Sequence, residues 1–334
     1  MFHVSPGFRR TVAVSFAIGA IVALVGCRAW FGPTPAERRA HAQQHMSQAE
    51  AYLAEGMDDS ALASFMLALE ENPRLVEAHV GMADVYRQRG QYELAANAYE
   101  RAARVGPDHF ESHYWLGQMR QLLGQLKEAL RAYLKALAIN PDSFEANYHV
   151  ALVYLQLDRP EDALPHARRA VELNSQSQSA AQHLGFIYMQ LDKHGRAVDA
   201  FRHAVELGKP TEALMLGLVD AHIRLGEYDK AMKALDNLLK HDPGSTAYER
   251  LGYLHFKQRR FDKALAAYRK ALQIDPQDTA ALNGVGACLM TMYLRGGSED
   301  LDLHREALNA WRRSIRLREN QPRIIDLIAK YRRG

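Results

Sequence analysis

The chain has 334 residues, enough for one or two ordinary cores, and its 48% hydrophobic and 24% charged content is that of a soluble globular protein. The formal net charge is +3, with Lys and Arg interspersed among Asp and Glu along the chain. A concentrated basic surface for neutralising phosphates is therefore not expected, and nucleic acid is excluded as a partner. Two cysteines, Cys27 and Cys288, are too few for a disulfide framework, and without a CxxC spacing they suggest neither zinc nor redox exchange.

The N-terminus reads as an address. Arg9 and Arg10 lie in a stretch with no acidic residue, and Thr11 to Gly26 carries no charge. A positive start, a short apolar run and then small residues is the layout of a secretory signal. The run is shorter than the roughly 20 residues that span a bilayer comfortably. It ends in Leu24-Val25-Gly26-Cys27, which resembles the bacterial lipobox. The resemblance implies a signal over residues 1–26, cleavage before Cys27, and acyl chains on that cysteine as a lipid anchor to the membrane. An uncleaved signal anchor is the alternative, and a buried N-terminal helix is the bland one. Several acyl chains hold firmly where one is marginal. The residue after the cysteine is Arg28 and not Asp. By the family's sorting rule, this favours the outer membrane, facing the periplasm, in a host with two membranes. Residues 27–41 then form the lipidated cysteine and a spacer, with Pro33 and Pro35 opposing regular structure.

A repeat fills the rest. Pro73, Pro107 and Pro141 are evenly spaced, Pro243 keeps that register three periods on, and Pro276 falls one position short of the next. Upstream of these run Ala61, Phe65 and Ala68; Ala95, Tyr99 and Ala102; Ala129, Tyr133 and Ala136; and Ala264, Tyr268 and Ala271. Less complete copies pass through Ala163 and Ala167, through Ala197 and Phe201, and through Ala231 and Leu235. Residues at i, i+4 and i+7 share one helix face, where small side chains admit a neighbouring helix and the aromatic fills the gap. Proline then ends the helix. A preceding helix carries pairs such as Leu116-Gly117, Leu184-Gly185 and Leu251-Gly252, with turns such as Gly90-Gln91, Gly124-Gln125 and Gly226-Glu227 between the two.

This pattern is similar to the tetratricopeptide repeat, a helix–turn–helix unit of about 34 residues. The resemblance covers residues 42–321 and implies an all-α, right-handed α-solenoid of about eight repeats. The boundaries are 42–75, 76–109, 110–143, 144–177, 178–211, 212–244, 245–278 and 279–321, with a capping helix over 322–334. The last copy departs from the pattern. Its first helix reads as Leu282 to Leu294, and Arg295 to His304 adds nine residues to the turn, as a tolerated insertion or a flap that touches a partner. Ile324, Ile325, Leu327 and Ile328 among Arg323, Lys330, Arg332 and Arg333 form an amphipathic cap for the open end.

In the family the first helix of each pair lines the concave side, which is where the resemblance places a partner protein or peptide. Carried onto this chain, the groove positions are Tyr114, Gln118, Tyr148, His149, Gln182, His183, Phe186, Arg250, Tyr253 and Phe256, with Asp84, Arg87, Gln121, Asp220, Ile223, Arg224 and Glu249 beside them. Aromatics among adaptable polar neighbours suit an interface, although each alone is as readily a packing residue. The family's clamp for a C-terminal carboxylate pairs Lys with Asn. Here the corresponding positions hold Tyr, Gln, Leu or Glu, so that clamp is not expected.

No cofactor and no metal are expected. His149 and His183 stand one repeat apart, too far for one ion given helix spacings of about 8–10 Å. His79 and His113 read as packing residues and Cys288 as a buried, inert thiol. No GxSxG, HExxH, phosphate loop or GxGxxG occurs, and the repeats leave no room for a catalytic domain. The reading is a non-enzymatic scaffold or adaptor of a cell-envelope machinery for pilus, secretion or cell wall. A regulator of a cell-wall or glycan-processing enzyme, or direct glycan binding, is the alternative.

Overall fold

The computed structural model describes residues 32–332, so the expected signal over residues 1–26 and the expected lipidation site Cys27 lie outside the described residues. Helix starts are set by local chemistry. Thr34 accepts from the backbone N–H of Glu37 while the Glu37 carboxylate accepts from Thr34, a reciprocal capping box, and Pro35 fills the first helical position without losing a hydrogen bond. α1 therefore spans Pro35–Ala54 and takes in residues expected to be spacer.

Sixteen further helices follow among the described residues: α2 (Asp58–Glu71), α3 (Val76–Gln88), α4 (Tyr92–Val105), α5 (Phe110–Leu122), α6 (Leu126–Ile139), α7 (Phe144–Gln156), α8 (Pro160–Leu173), α9 (Gln178–Gln190), α10 (His194–Leu207), α11 (Glu212–Arg224), α12 (Tyr228–His241), α13 (Ser245–Lys257), α14 (Phe261–Ile274), α15 (Thr279–Arg295), α16 (Leu301–Leu317) and α17 (Pro322–Tyr331). No described residue forms a strand. The helices gather into two compact units, one ending at Pro141 and the other starting at Asp142. The first holds three antiparallel pairs and the second five, closed by α17. Each unit is an all-α stack of repeats.

Within each pair the first helix ends on a residue with positive φ. Gly56, Gly90, Gly124 and Gly226 take values from +71° to +74°. The N–H of Gln91 returns to the Tyr86 carbonyl at 2.9 Å and that of Gly90 to Arg87 at 3.1 Å, the paired closure of a left-handed helix cap. Asp158, Asp192 and Arg259 hold the same register at φ 55°, 54° and 59°, a conformation that costs a residue with a Cβ about 1–2 kcal/mol.

Between pairs, the aromatic of one second helix sits between two first helices. Phe201 of α10 is fully buried, and a Cβ on Gly185 or Gly217 would stand 2.5 or 2.8 Å from its ring. Tyr268 of α14 is held the same way, 2.7 Å from a Cβ on Gly252 and 2.3 Å from one on Gly284. Trp311 of α16 lies against Gly286 and donates its indole N–H to the Asn283 carbonyl at 3.2 Å.

The last pair corrects an expectation. Most of the extra residues are added helix and not loop: α15 and α16 have 17 residues each, against 13 and 14 in the pair before them, and the turn over 296–300 is only slightly longer than that over 258–260. Asp300 caps α16 by accepting from the N–H groups of Asp302 and Leu303. The added turns are anchored by one buried contact, Tyr293 packing on His304 at 4.9 Å between ring centroids. His304 in turn bonds to the Tyr331 carbonyl at 2.8 Å, and Ile324, Leu327 and Ile328 of α17 pack on the same core. The extension is the platform on which the terminal helix docks.

His79 and His113 are buried, and each places Nε2 within hydrogen-bond distance of a proline carbonyl six residues back, Pro73 at 3.2 Å and Pro107 at 3.0 Å. A carbonyl only accepts, so Nε2 carries the proton. Asn147 continues that register, with its amide donating to the Ser143 carbonyl at 2.9 Å. Cys288 is fully buried, and burial pushes its thiol up to about 12.

Two consequences of this packing can be measured. Alanine in place of a helical glycine ordinarily stabilises, by about 0.4–1 kcal/mol. Gly195, with nothing within 4 Å of a Cβ, should show that gain. Gly284→Ala should instead lose about 1–3 kcal/mol, since the ring it meets is already trapped from the other side; urea unfolding of both variants reads the difference in sign. The second consequence concerns acid. Burial lowers the pKa of His79, His113, His149, His166, His183 and His255 below the ordinary 6.5. The folded state thus binds fewer protons than the unfolded chain, and this stability is complete above about pH 6.5 and lost as pH falls below it. The urea midpoint should drop between pH 7.5 and pH 5, and less so in His113→Asn.

Candidate partner-binding groove

The first helices carry the side chains that the interlock leaves over. In the N-terminal unit these come from α3 and α5. Tyr99, reaching across from α4, donates its hydroxyl to Asp84 at 2.5 Å. Arg87 donates to Asp84 at 3.2 Å and to the Tyr99 oxygen at 3.3 Å, and its guanidinium lies 4.5 Å above the Trp115 ring. Arg87 and Trp115 thus tie consecutive first helices together. Tyr114 is half-buried against Phe110, Trp115 and Tyr133, with centroids 5.9, 5.1 and 5.8 Å away. Gln118 is half-buried one turn further on.

The C-terminal unit gathers a second group at α7 and α9. Tyr148 stacks on Phe144 at 5.8 Å and presents its ring to both His149 and His183 at 5.5 Å. Nδ1 of His183 lies 2.7 Å from the Ser179 carbonyl, which fixes the proton there, with the Tyr148 hydroxyl a longer acceptor at 3.2 Å. Burial lowers the pKa of both histidines, so at neutral pH this cluster is uncharged. Gln182 is half-buried beside it. Phe186 is an exception among the expected groove residues. Its ring meets Phe201 edge-on at 5.1 Å and approaches Gly217, because the α9–α11 contact leaves room for an aromatic there, and it serves packing. Phe256 likewise turns onto Phe261, 5.3 Å away.

A cavity of about 490 Å³ opens on α9, α11 and α13, lined by Met189, Asp220, Ile223, Arg224, Glu249, Arg250 and Tyr253. Arg250 is not free in it. It grips Asp220 on the neighbouring repeat with two bonds, of 2.5 and 3.1 Å, and pairs with Glu249. Glu249 is 8% exposed, and burial raises its carboxyl above the usual range. Exposed Arg224 has no acidic partner within 4 Å among the described residues, while Ile223, Met189 and Tyr253 supply apolar wall. The site can therefore take an extended chain with an apolar side chain seated between fixed ion pairs.

Six of the seven lining residues stand at groove positions read from the repeat register. Met189 was missed, although it lies one full repeat before Ile223 and so carried the signal. Among the described residues no group of three or more His, Cys, Asp or Glu side chains is placed to hold a metal ion. No described helix is long and apolar enough to cross a membrane.

Comparison with known proteins agrees with the repeat geometry. The chain is similar to PilF of Pseudomonas aeruginosa, with 20% identity, a TM-score of 0.50, and coverage of 64% of this chain and 96% of that one. It is also similar to a chain of the APC/C hetero-tetramer Cut9–Hcn1, with 16% identity and a TM-score of 0.54, covering 84% of this chain and 55% of that one. A tetratricopeptide repeat protein from Parabacteroides merdae follows at 19% identity and a TM-score of 0.49, covering 71% and 94%. At these identities the likeness shows the fold alone. No curated protein sequence matches. The tetratricopeptide repeat family model matches residues 80–144, 121–179, 148–212 and 216–279, more than half of the chain. The chain belongs to the tetratricopeptide repeat family.

Proposed function

We propose that the chain is a membrane-anchored scaffold that holds a segment of a partner protein in its first-helix groove, serving assembly of a cell-envelope machinery. The observation that carries the reading is the cavity on α9, α11 and α13. Three consecutive repeats contribute to it, its ion pairs are fixed in advance, and its apolar wall of Ile223, Met189 and Tyr253 is unfilled by the chain itself. Preorganised polar groups around an apolar seat reduce the ordering cost of binding. The family's ordinary role in protein interaction points the same way. No reaction is assigned to the chain. The anchor rests on the sequence order of Arg9, Arg10, the apolar run and Leu24 to Cys27, and so does the placement on the outer membrane.

Crosslinking in the native host should capture a stoichiometric protein, and Ile223→Asp with Tyr253→Ala should weaken its capture about thirtyfold, the size of a hot-spot loss of about 2 kcal/mol. Capture unaffected by these changes, in a chain that still unfolds at its usual urea concentration, sinks the groove reading; retention of glycan alone replaces it with the carbohydrate alternative. For the anchor, Cys27→Ser should abolish lipid labelling and release the chain from the membrane fraction. Unchanged fractionation of that variant means a spanning N-terminal helix instead.

A further inference from the structure

The even distribution of charge breaks down at the C-terminus. Residues 312–334 hold eight basic side chains against two acidic ones, +6, where the whole chain is +3. Arg312, Arg313 and Arg316 are exposed on α16, Arg318 on its C-cap, and Arg323, Lys330 and Arg332 on and after α17. Elsewhere Arg87, Arg89, Arg120, Arg169, Arg250 and Arg269 each pair with a carboxylate. By contrast Arg312, Arg316, Arg318 and Arg323 have no acidic partner within 4 Å among the described residues.

Helix stability does not ask for this many cations. The C-terminus of α16 favours a positive charge in its last turn, which Arg316 alone supplies. Leu317 at 44% exposure and Ile325 at 48% stand among these arginines. The cavities beside Tyr253, His255 and His194 do not border them. Unpaired cations with scattered exposed aliphatic groups suit a partner that supplies many mobile anionic groups and a shallow apolar layer. We propose that the C-terminal end of the chain, through Arg312, Arg316, Arg318 and Arg323 with Leu317 and Ile325, docks on an anionic phospholipid surface. This does not rest on the groove or on the lipid at Cys27.

The test uses the full chain carrying Cys27→Ser, synthesised in the presence of vesicles and separated by flotation. The vesicles are phosphatidylcholine alone or with about 30% phosphatidylglycerol, in about 0.1 M and about 0.5 M salt. The N-terminal segment, with its own arginines, is common to every arm. One basic residue near such a surface favours binding about fivefold. Replacing the four arginines by Gln should therefore cut the preference for anionic vesicles at least tenfold, and high salt should remove it in the parent. A control in which Lys127, Arg168, Arg202 and Lys233 are changed to Gln removes the same charge elsewhere and should keep the preference within twofold. Equal losses in the two variants, or a preference that survives the four-arginine change, overturn the proposal. So does a four-arginine variant that loses an acidic protein or DNA and binds lipid as before.

Discussion

In the second unit, two of the repeat-to-repeat contacts depend on a ring meeting two glycines. Phe201 and Tyr268 each fill a slot whose walls are the bare backbones of their own first helix and the next one. An aromatic side chain of this kind buries about 150–250 Å², and its loss from a core costs about 3–5 kcal/mol. A repeat of two short helices cannot enclose such a ring alone, so the contact that stabilises one repeat is shared with its neighbour. That sharing is why the repeat length is kept even where the side chains change. In the second unit it also accounts for the added platform: the helix packed next on the Trp311 cluster is α17, through Ile324, Leu327, Ile328 and Tyr331.

With the rings of the second helices committed to the interlock, the first helices carry charges that pair across repeats. Arg250 and Asp220 lie on different repeats, as do Arg89 and the pair Asp58 and Asp59. The Arg89 contacts are exposed, and such solvent-screened pairs contribute little. The Arg250 group is another matter, because Glu249 is buried and its partner Arg250 is also bonded twice to Asp220. Removing Arg250 would strand the buried Glu249 carboxylate, which is costlier than the pair is favourable. The side chains that line the cavity are thereby held in place before any partner arrives.

Much of this was legible in the residues. The regular recurrence of alanine, aromatic and proline is a statement about interior packing, and interior packing is what a single sequence records best. Left-handed caps were legible only where they were glycine. Asp158, Asp192 and Arg259 adopt the same conformation without the residue that signals it, because repeat geometry overrides a local cost of a kcal/mol or two. The extra residues of the last repeat looked like loop because Gly296, Gly297 and Ser298 dominate the stretch, whereas burial of Tyr293 against His304 decided the outcome. The clustering of cations after Trp311 was visible in the sequence. Its meaning was not, since pairing depends on which carboxylates the fold brings near.

Phe186 and His183 show why groove and core could not be told apart from the pattern. His183 lies one full repeat before Gly217, a position whose vacancy admits Phe201. The residue in the register of Phe201 one repeat earlier is Ala167. A small residue there needs no glycine opposite, and an imidazole can stand in the space with its Nδ1–H satisfied by the Ser179 carbonyl. Large and small have exchanged places across the contact, and the larger partner now belongs to the first helix. An aromatic on that helix is thus selected by the volume of the second helix before it is selected by any ligand. Even where the second helix supplies the ring, as Phe201 does, the first-helix Phe186 meets it edge-on, and Ile223 stays packed on the core around Leu235, so packing constrains these positions as well.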